Sequence, residues 1–398
     1  PGQPDKQPVP IPIRLGLLDE DGRALTFRND DGGSPVEETT ILLDAPRTAV
    51  RLEGVQRRPV LSALRGFSAP VRLAASADPA DRYVLLAGDP DLFNRWEAGQ
   101  TLAADLILAR AEGRADEAGE RRWAEAVGRA LADQGAEPAF KALVLSPPAE
   151  GDLSLLRTPY DPQAVHEARE ALRTVLGRTL IEPLARLHEE LAEDGPFSPD
   201  ADAAGRRALR NAALQLIVAA GGAQAPARAA LHFAEAANMT EALGGLDALA
   251  ALGGELYELA LASFYARWLH EPLVVDKWFA VQARSPEPGV LGRVMGLLAH
   301  PAFDARNPNR LRALVQTFSG NLARFHAPDG SGHRFLVDQI ILVDAFNPKT
   351  AARLVEPLGA WRRLTPEIGA SLRAELQRLV DAPGLSKNTL ELAAKALG

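Results

Sequence analysis

Ser76-Ala77-Asp78-Pro79-Ala80 is where the chain changes character. Before it, from Pro8 to Leu73, apolar residues alternate: Ile11, Ile13, Leu15 and Leu17 fall on every second position. Asp19-Glu20-Asp21-Gly22 supplies turn chemistry, and Arg23 to Phe27 can return as the second arm of a hairpin. Ile41 to Leu43, Ala49 to Leu52 and Ala69 to Leu73 extend the series, and the prolines crowding the first ten residues suit an extended or edge entry. After it, the period becomes helical. Asp78 is a candidate N-cap with Pro79 at the first helical position, where a missing N–H costs nothing.

Helices are expected from Asp91 to Gly113, Ala118 to Gln134, Pro138 to Leu145, Gln163 to Leu191, Ala203 to Ala219, Ala225 to Ala236, Thr240 to Leu252, Gly254 to His270 and Val274 to Ala283. Short links such as Ser146-Pro147-Pro148 separate them, which implies stacked antiparallel pairs. No fixed-period repeat signature is present, so the repetition is structural. The expected fold is mostly α with a small all-β domain. A β-sandwich of about seven short strands spans residues 1–74, and a large α-solenoid, or superhelical, domain with a concave face spans residues 75–398.

Bulk properties narrow the function. Of 398 residues, 46 % are hydrophobic and 24 % charged, as in soluble globular proteins. Cysteine is absent, which excludes disulfides and thiolate metal sites and fits a reducing, cytoplasmic setting. No apolar run approaches the ~20 residues that span a bilayer, so no membrane partner is expected. The start, Pro1-Gly2-Gln3-Pro4-Asp5-Lys6, is unlike a signal peptide and reads as a cut inside a longer protein. The net charge is −8, and residues 1–72 are balanced, so the excess acid belongs to the helical part. Nucleic acid is therefore not expected as a partner.

Two stretches repeat one device. Asn307-Pro308-Asn309-Arg310-Leu311-Arg312 and Asn347-Pro348-Lys349-Thr350-Ala351-Ala352-Arg353 each combine an Asn N-cap, a Pro at the first helical position and early cations. Acids are the favoured charges at that end of a helix dipole, so local stability does not explain the cations. A surface gathering helix starts and cations would hold something negative, such as a peptide carboxylate.

The run Asn307 to Phe318, then Phe325-His326-Ala327-Pro328-Asp329-Gly330-Ser331-Gly332, then Asn347 to Leu358, resembles the C-terminal region of bacterial aminopeptidase N, the zinc-dependent alanyl aminopeptidase family. Arg65-Gly66-Phe67-Ser68-Ala69-Pro70-Val71, Asn94-Arg95-Trp96-Glu97-Ala98-Gly99-Gln100, Glu235-Ala236-Ala237-Asn238-Met239-Thr240 and Asp276-Lys277-Trp278-Phe279 match in the same order. The resemblance implies a β-sandwich followed by a helical domain whose concave face covers a zinc site carried by preceding domains. It implies that Arg312 and Arg353 line the peptide cavity and meet the backbone or terminal carboxylate, for which a planar guanidinium is suited. Lys349 stands where the family usually has a neutral amide. The implied partners are the missing N-terminal catalytic domains of the same chain and a peptide substrate.

Catalytic chemistry is missing from the chain. Its histidines are His166, His188, His232, His270, His300, His326 and His333, and none forms the His-Glu-x-x-His pattern that puts two imidazoles on one helical face. The family's Gly-Ala-Met-Glu-Asn segment is absent as well. No catalytic and no metal-binding residues are expected, and zinc would belong to the parent enzyme. Gly330-Ser331-Gly332 lacks the spacing of a nucleophile elbow and reads as a turn with Gly330 left-handed. Gly221-Gly222 reads as a helix end, Trp278, Phe279 and Trp96 as core, and Glu235 with Asn238 as capping. The expected role is the non-catalytic part of a zinc aminopeptidase. The alternative is an independent α-solenoid scaffold that binds proteins on its concave face.

Overall fold

The computed structural model of the chain describes residues 9–29, 33–71, 73, 78–193 and 195–398. Strand β1 (Ile11–Leu18) organises the β segment. It pairs antiparallel with β2 (Ala24–Leu25), β4 (Glu38–Leu43) and β6 (Val60–Ala63), while β3 (Arg28–Asn29) pairs with β5 (Leu52–Glu53) in a second sheet. Asp19 accepts from the Asp21 and Arg23 N–H groups and closes the expected hairpin, with Leu17 opposite Leu25. Leu15, Leu17 and Phe27 form the core, with Leu25, Val36, Ile41, Leu52 and Val55 packed on it. Both faces of β1 are covered from Leu15 onward, because the buried Arg65 guanidinium lies over Gly16, where no Cβ would fit.

Three strand expectations are corrected. Among the described residues six strands form, and β6 was not anticipated although Val60 and Ser62 alternate inward. Of the expected strand from Ala69 to Leu73, Arg72 lies outside the described residues and the rest forms no strand: Pro70 lacks a donor for a ladder, and a left-handed turn at Leu64 to Phe67 has already redirected the chain. Ala49 to Leu52 shrinks to β5.

The helical series begins as expected, with the Asp78 carboxylate accepting from the Ala80 N–H and Pro79 at the first position. The expected helix from Gln163 to Leu191 is two helices, Pro162–Thr179 and Ile181–Glu190, joined at Leu180. Pro183 is the cause: it offers no N–H to the Thr179 carbonyl, and its ring crowds that oxygen. An unanticipated helix, Glu150–Leu156, precedes them. From Ala225 to Leu297, helices adjacent in sequence are adjacent in space, as antiparallel stacking requires.

By contact density the chain divides into two compact units. One holds the β segment with Pro79–Gly88, Glu117–Ala132 and Pro138–Val144, and the other holds most of the remaining helices. Within the first unit, Arg58 forks onto Asp81 at 2.7 and 2.8 Å, and the Asn94 amide donates to Ser62 and Ala63 of β6. No helix among the described residues is long and apolar enough to cross a membrane.

Candidate functional site

Asn307 and Asn347 both cap helices with Pro at the first position. Asn307 Oδ1 accepts from the Asn309 and Arg310 N–H groups, and Asn347 Oδ1 accepts from Thr350 N–H. After one turn the first helix widens into a π segment, Arg312–Gln316, before returning to α at Thr317–Ser319. The Arg312 carbonyl accepts from the backbone N–H of Thr317 and from its hydroxyl. Single π turns inside helices recur at functional positions, because they shift the side chains around them by a fraction of a turn.

The two early arginines of this helix have different fates. Arg310 is buried, lies over the Phe279 ring at 5.0 Å and meets Asp276 at 3.1 Å. That approach is too poorly aligned for a hydrogen bond, so it is an electrostatic contact. Arg312 is exposed, and its guanidinium donates to the Asn309 side chain at 3.2 Å.

Arg312 and Arg353 line one cavity of about 140 Å³, together with Pro308, Leu311, Gln316, Thr350 and Leu354. Its lining contains two guanidinium groups, an amide and a hydroxyl, but no acid. Against the ~30 Å³ of a liquid water molecule, the space admits a carboxylate or a few waters. Lys349 is exposed on the same helix as Arg353 and is not part of the lining.

A larger cavity, about 870 Å³, makes the contrast. Its lining arginines are already neutralised: Arg173 holds Glu170 at 2.7 Å, Arg169 meets the same carboxylate at 3.1 Å, and Arg284 holds Asp247 at 2.6 Å, while His166 Nδ1 lies 2.7 Å from Glu150. Burial pushes the Glu170 carboxyl up, yet Arg173 and Arg169 outweigh it and hold the group below its ordinary value. The larger space is thus internally compensated, and the smaller one carries uncompensated positive charge.

The other residues singled out in the sequence are structural. Phe279 is fully buried and Trp278 nearly so, with the indole N–H donating to the Leu261 carbonyl. Asn238 caps Met239–Leu252 by accepting from Glu241 N–H. Gly330 is left-handed at φ 66°, and Gly221 ends the helix before it at φ 78°. Trp96 departs from expectation: it is only half-buried, beside Phe93.

Two buried histidine pairs had no sequence signal. His188 Nε2 lies 3.0 Å from His232 Nδ1, and His326 Nδ1 lies 2.9 Å from His333 Nε2, whose other nitrogen reaches Ser371 Oγ at 3.2 Å. Burial, reinforced by the neighbouring ring, lowers His188 and His326 to about 3. Burial lowers His232 and His333 to about 4. Each pair spends a ring nitrogen on its partner. Among the described residues no group of three or more His, Asp or Glu side chains converges as metal ligands. The described residues do not fit a zinc site of the aminopeptidase kind.

Comparison with known proteins supplies the context. Residues 1–76 match the domain of unknown function DUF3458, with an Ig-like fold, and residues 79–398 match the domain of unknown function DUF3458_C, with ARM repeats. A protein named aminopeptidase N from Caulobacter vibrioides is 57 % identical over 96 % of this chain and 44 % of its own length. Another of that name, from Escherichia coli, is 34 % identical over 100 % of this chain and 46 % of its own length. The crystal structure of Legionella pneumophila aminopeptidase A in complex with aspartic acid superposes with a TM-score of 0.82 at 27 % identity, covering 98 % of this chain and 45 % of that one. The chain thus spans a little under half the length of these relatives. Carrying an Ig-like β domain and an ARM-repeat helical domain in that order, the chain belongs to the DUF3458 family, the C-terminal domains of aminopeptidase N.

Proposed function

We propose that this chain is the non-catalytic part of a longer cytoplasmic zinc aminopeptidase, with its β domain over residues 1–74 and its helical domain over residues 75–398. The helical domain walls the chamber in which a peptide loses its first residue. Zinc and the water it activates belong to the part of the enzyme outside this chain, and so does the pocket for the first residue. The role here is to hold the rest of the peptide, through Arg312 and Arg353 on its backbone or terminal carboxylate, with Lys349 adding positive potential nearby.

The observation that carries this reading is the acid-free cavity shared by Arg312 and Arg353, each delivered by its own Asn-Pro helix start. Two cations without a counter-ion create a field that a carboxylate relieves. The experiment begins with the gene. Its reading frame should continue upstream of Pro1 into His-Glu-x-x-His, and the full-length product should release alanine from alanine-linked amides in a zinc-dependent manner. Residues 1–398 alone should show no turnover and no tight zinc site by calorimetry. Activity that follows this chain through mutation, or a reading frame that starts at its β domain, contradicts the proposal.

A further inference from the structure

Two motifs that the peptide cavity leaves unused, Arg65 to Val71 and Asn94 to Gln100, come together in one strained, clamped turn. Leu64 and Phe67 both adopt left-handed backbone, at φ 59° and 54°, with Gly66 between them at 61°. For glycine this conformation is free, but for leucine and phenylalanine it is disfavoured and persists only where the surroundings enforce it. They do so here. Gly66 N–H donates to Asp91 Oδ2 at 2.8 Å, and buried Arg65 donates to Ser62 Oγ at 2.8 Å and reaches Asp89 at 3.4 Å. Asn94 ties the same helix start to β6, at 3.0 Å to Ser62 Oγ and 2.9 Å to the Ala63 carbonyl.

The turn does not bury its aromatic side chain. Phe67 is 65 % exposed, its ring centred 3.9 Å from that of Phe93, which in turn lies 5.7 Å from half-buried Trp96. Strained backbone and a buried polar clamp therefore hold Phe67 outward, against the half-buried rings of Phe93 and Trp96 on the adjoining helix, Leu92–Ala111. The clamp's hydrogen bonds offset the strain, and they leave Phe67 exposed at the surface.

We propose that Phe67, Phe93 and Trp96 form a docking point for an apolar segment of the remainder of the same polypeptide, which fixes the catalytic part of the enzyme against the β domain. This rests on the functional reading above. More than half the length of the relatives lies outside the matched region, so a large covalently attached partner is available. Three rings are too small a patch for a stable contact between separate molecules, which takes about 1,200 Å² or more. Covalent attachment removes that requirement by raising the local concentration of the partner.

The test uses the full-length protein with p-benzoyl-phenylalanine at position 67, a replacement that keeps an aromatic ring in place. After irradiation and digestion, cross-linked peptides are mapped by mass spectrometry. The expected result is a cross-link to a peptide upstream of Pro1, lost when the protein is irradiated in denaturant. Cross-links only to a second copy, or only to residues 58–100 of the same β unit, overturn the docking while leaving the chamber reading intact. A gene with no upstream His-Glu-x-x-His half overturns both.

Discussion

The carbonyl oxygen of Arg312 accepts twice from Thr317, five residues on: once from its backbone N–H and once from its hydroxyl at 3.2 Å. This double acceptance holds the π turn open where Arg312 leaves the helix for the cavity. Thr317→Val keeps the shape and removes the hydroxyl bond. It should cost about 0.5–1.5 kcal/mol in denaturant unfolding, with Thr317→Ser close to wild type. Equal stability of Val and wild type would mean that the hydroxyl does not support the turn.

Arg310 and Arg312, two residues apart, should behave oppositely. Arg310→Ala takes the buried guanidinium away from Phe279 and leaves the partly buried Asp276 with no counter-charge, a change that should cost roughly 2–4 kcal/mol, toward the low side of a fully buried pair. Arg312→Ala removes an exposed side chain and should stay within about 0.5 kcal/mol of wild type. Unfolding curves for the two variants check this. Similar losses would contradict the division of labour.

The buried histidine pairs predict acid sensitivity. His188, His232, His326 and His333 are held neutral in the folded state, with values of about 3 to 4 against an ordinary 6.5. As pH falls below 6.5 the unfolded chain takes up protons that the folded chain refuses. Stability is therefore full above that value and declines on the way down, to about 4 for His232 and His333 and to about 3 for His188 and His326. The slope is at most about 1.4 kcal/mol per pH unit for each histidine. Urea midpoints measured across this range should fall with pH, and replacing His326 and His333 together by Gln should flatten the curve. A flat wild-type profile would contradict the assignment.

Much of this was legible in local sequence. Two letters, Asn-Pro, announced both capped helices, and the alternation of Ile11 to Leu17 announced β1. What escaped depended on neighbours distant in sequence. β6 follows Pro59 in a short, weakly apolar run and becomes a strand only because β1 offers it an edge. His188 and His232 are 44 positions apart, and no spacing rule joins them. The π turn leaves no mark at all, since Arg312 to Gln316 is an ordinary helical string. Pro183, by contrast, was visible, and its i−4 carbonyl rule breaks the helix where the structure does.

The account turns on Arg312 and Arg353 holding the distal part of a peptide. The direct test is Arg312→Ala in the full-length enzyme, comparing kcat/KM for a tetrapeptide with that for a one-residue chromogenic amide, which has no distant backbone or carboxylate. The tetrapeptide should lose roughly 1–3 kcal/mol of transition-state binding, as for a charge-assisted hydrogen bond. The loss should appear mainly in KM, with the amide nearly unaffected. Equal losses on both substrates, or none on either, would contradict the account.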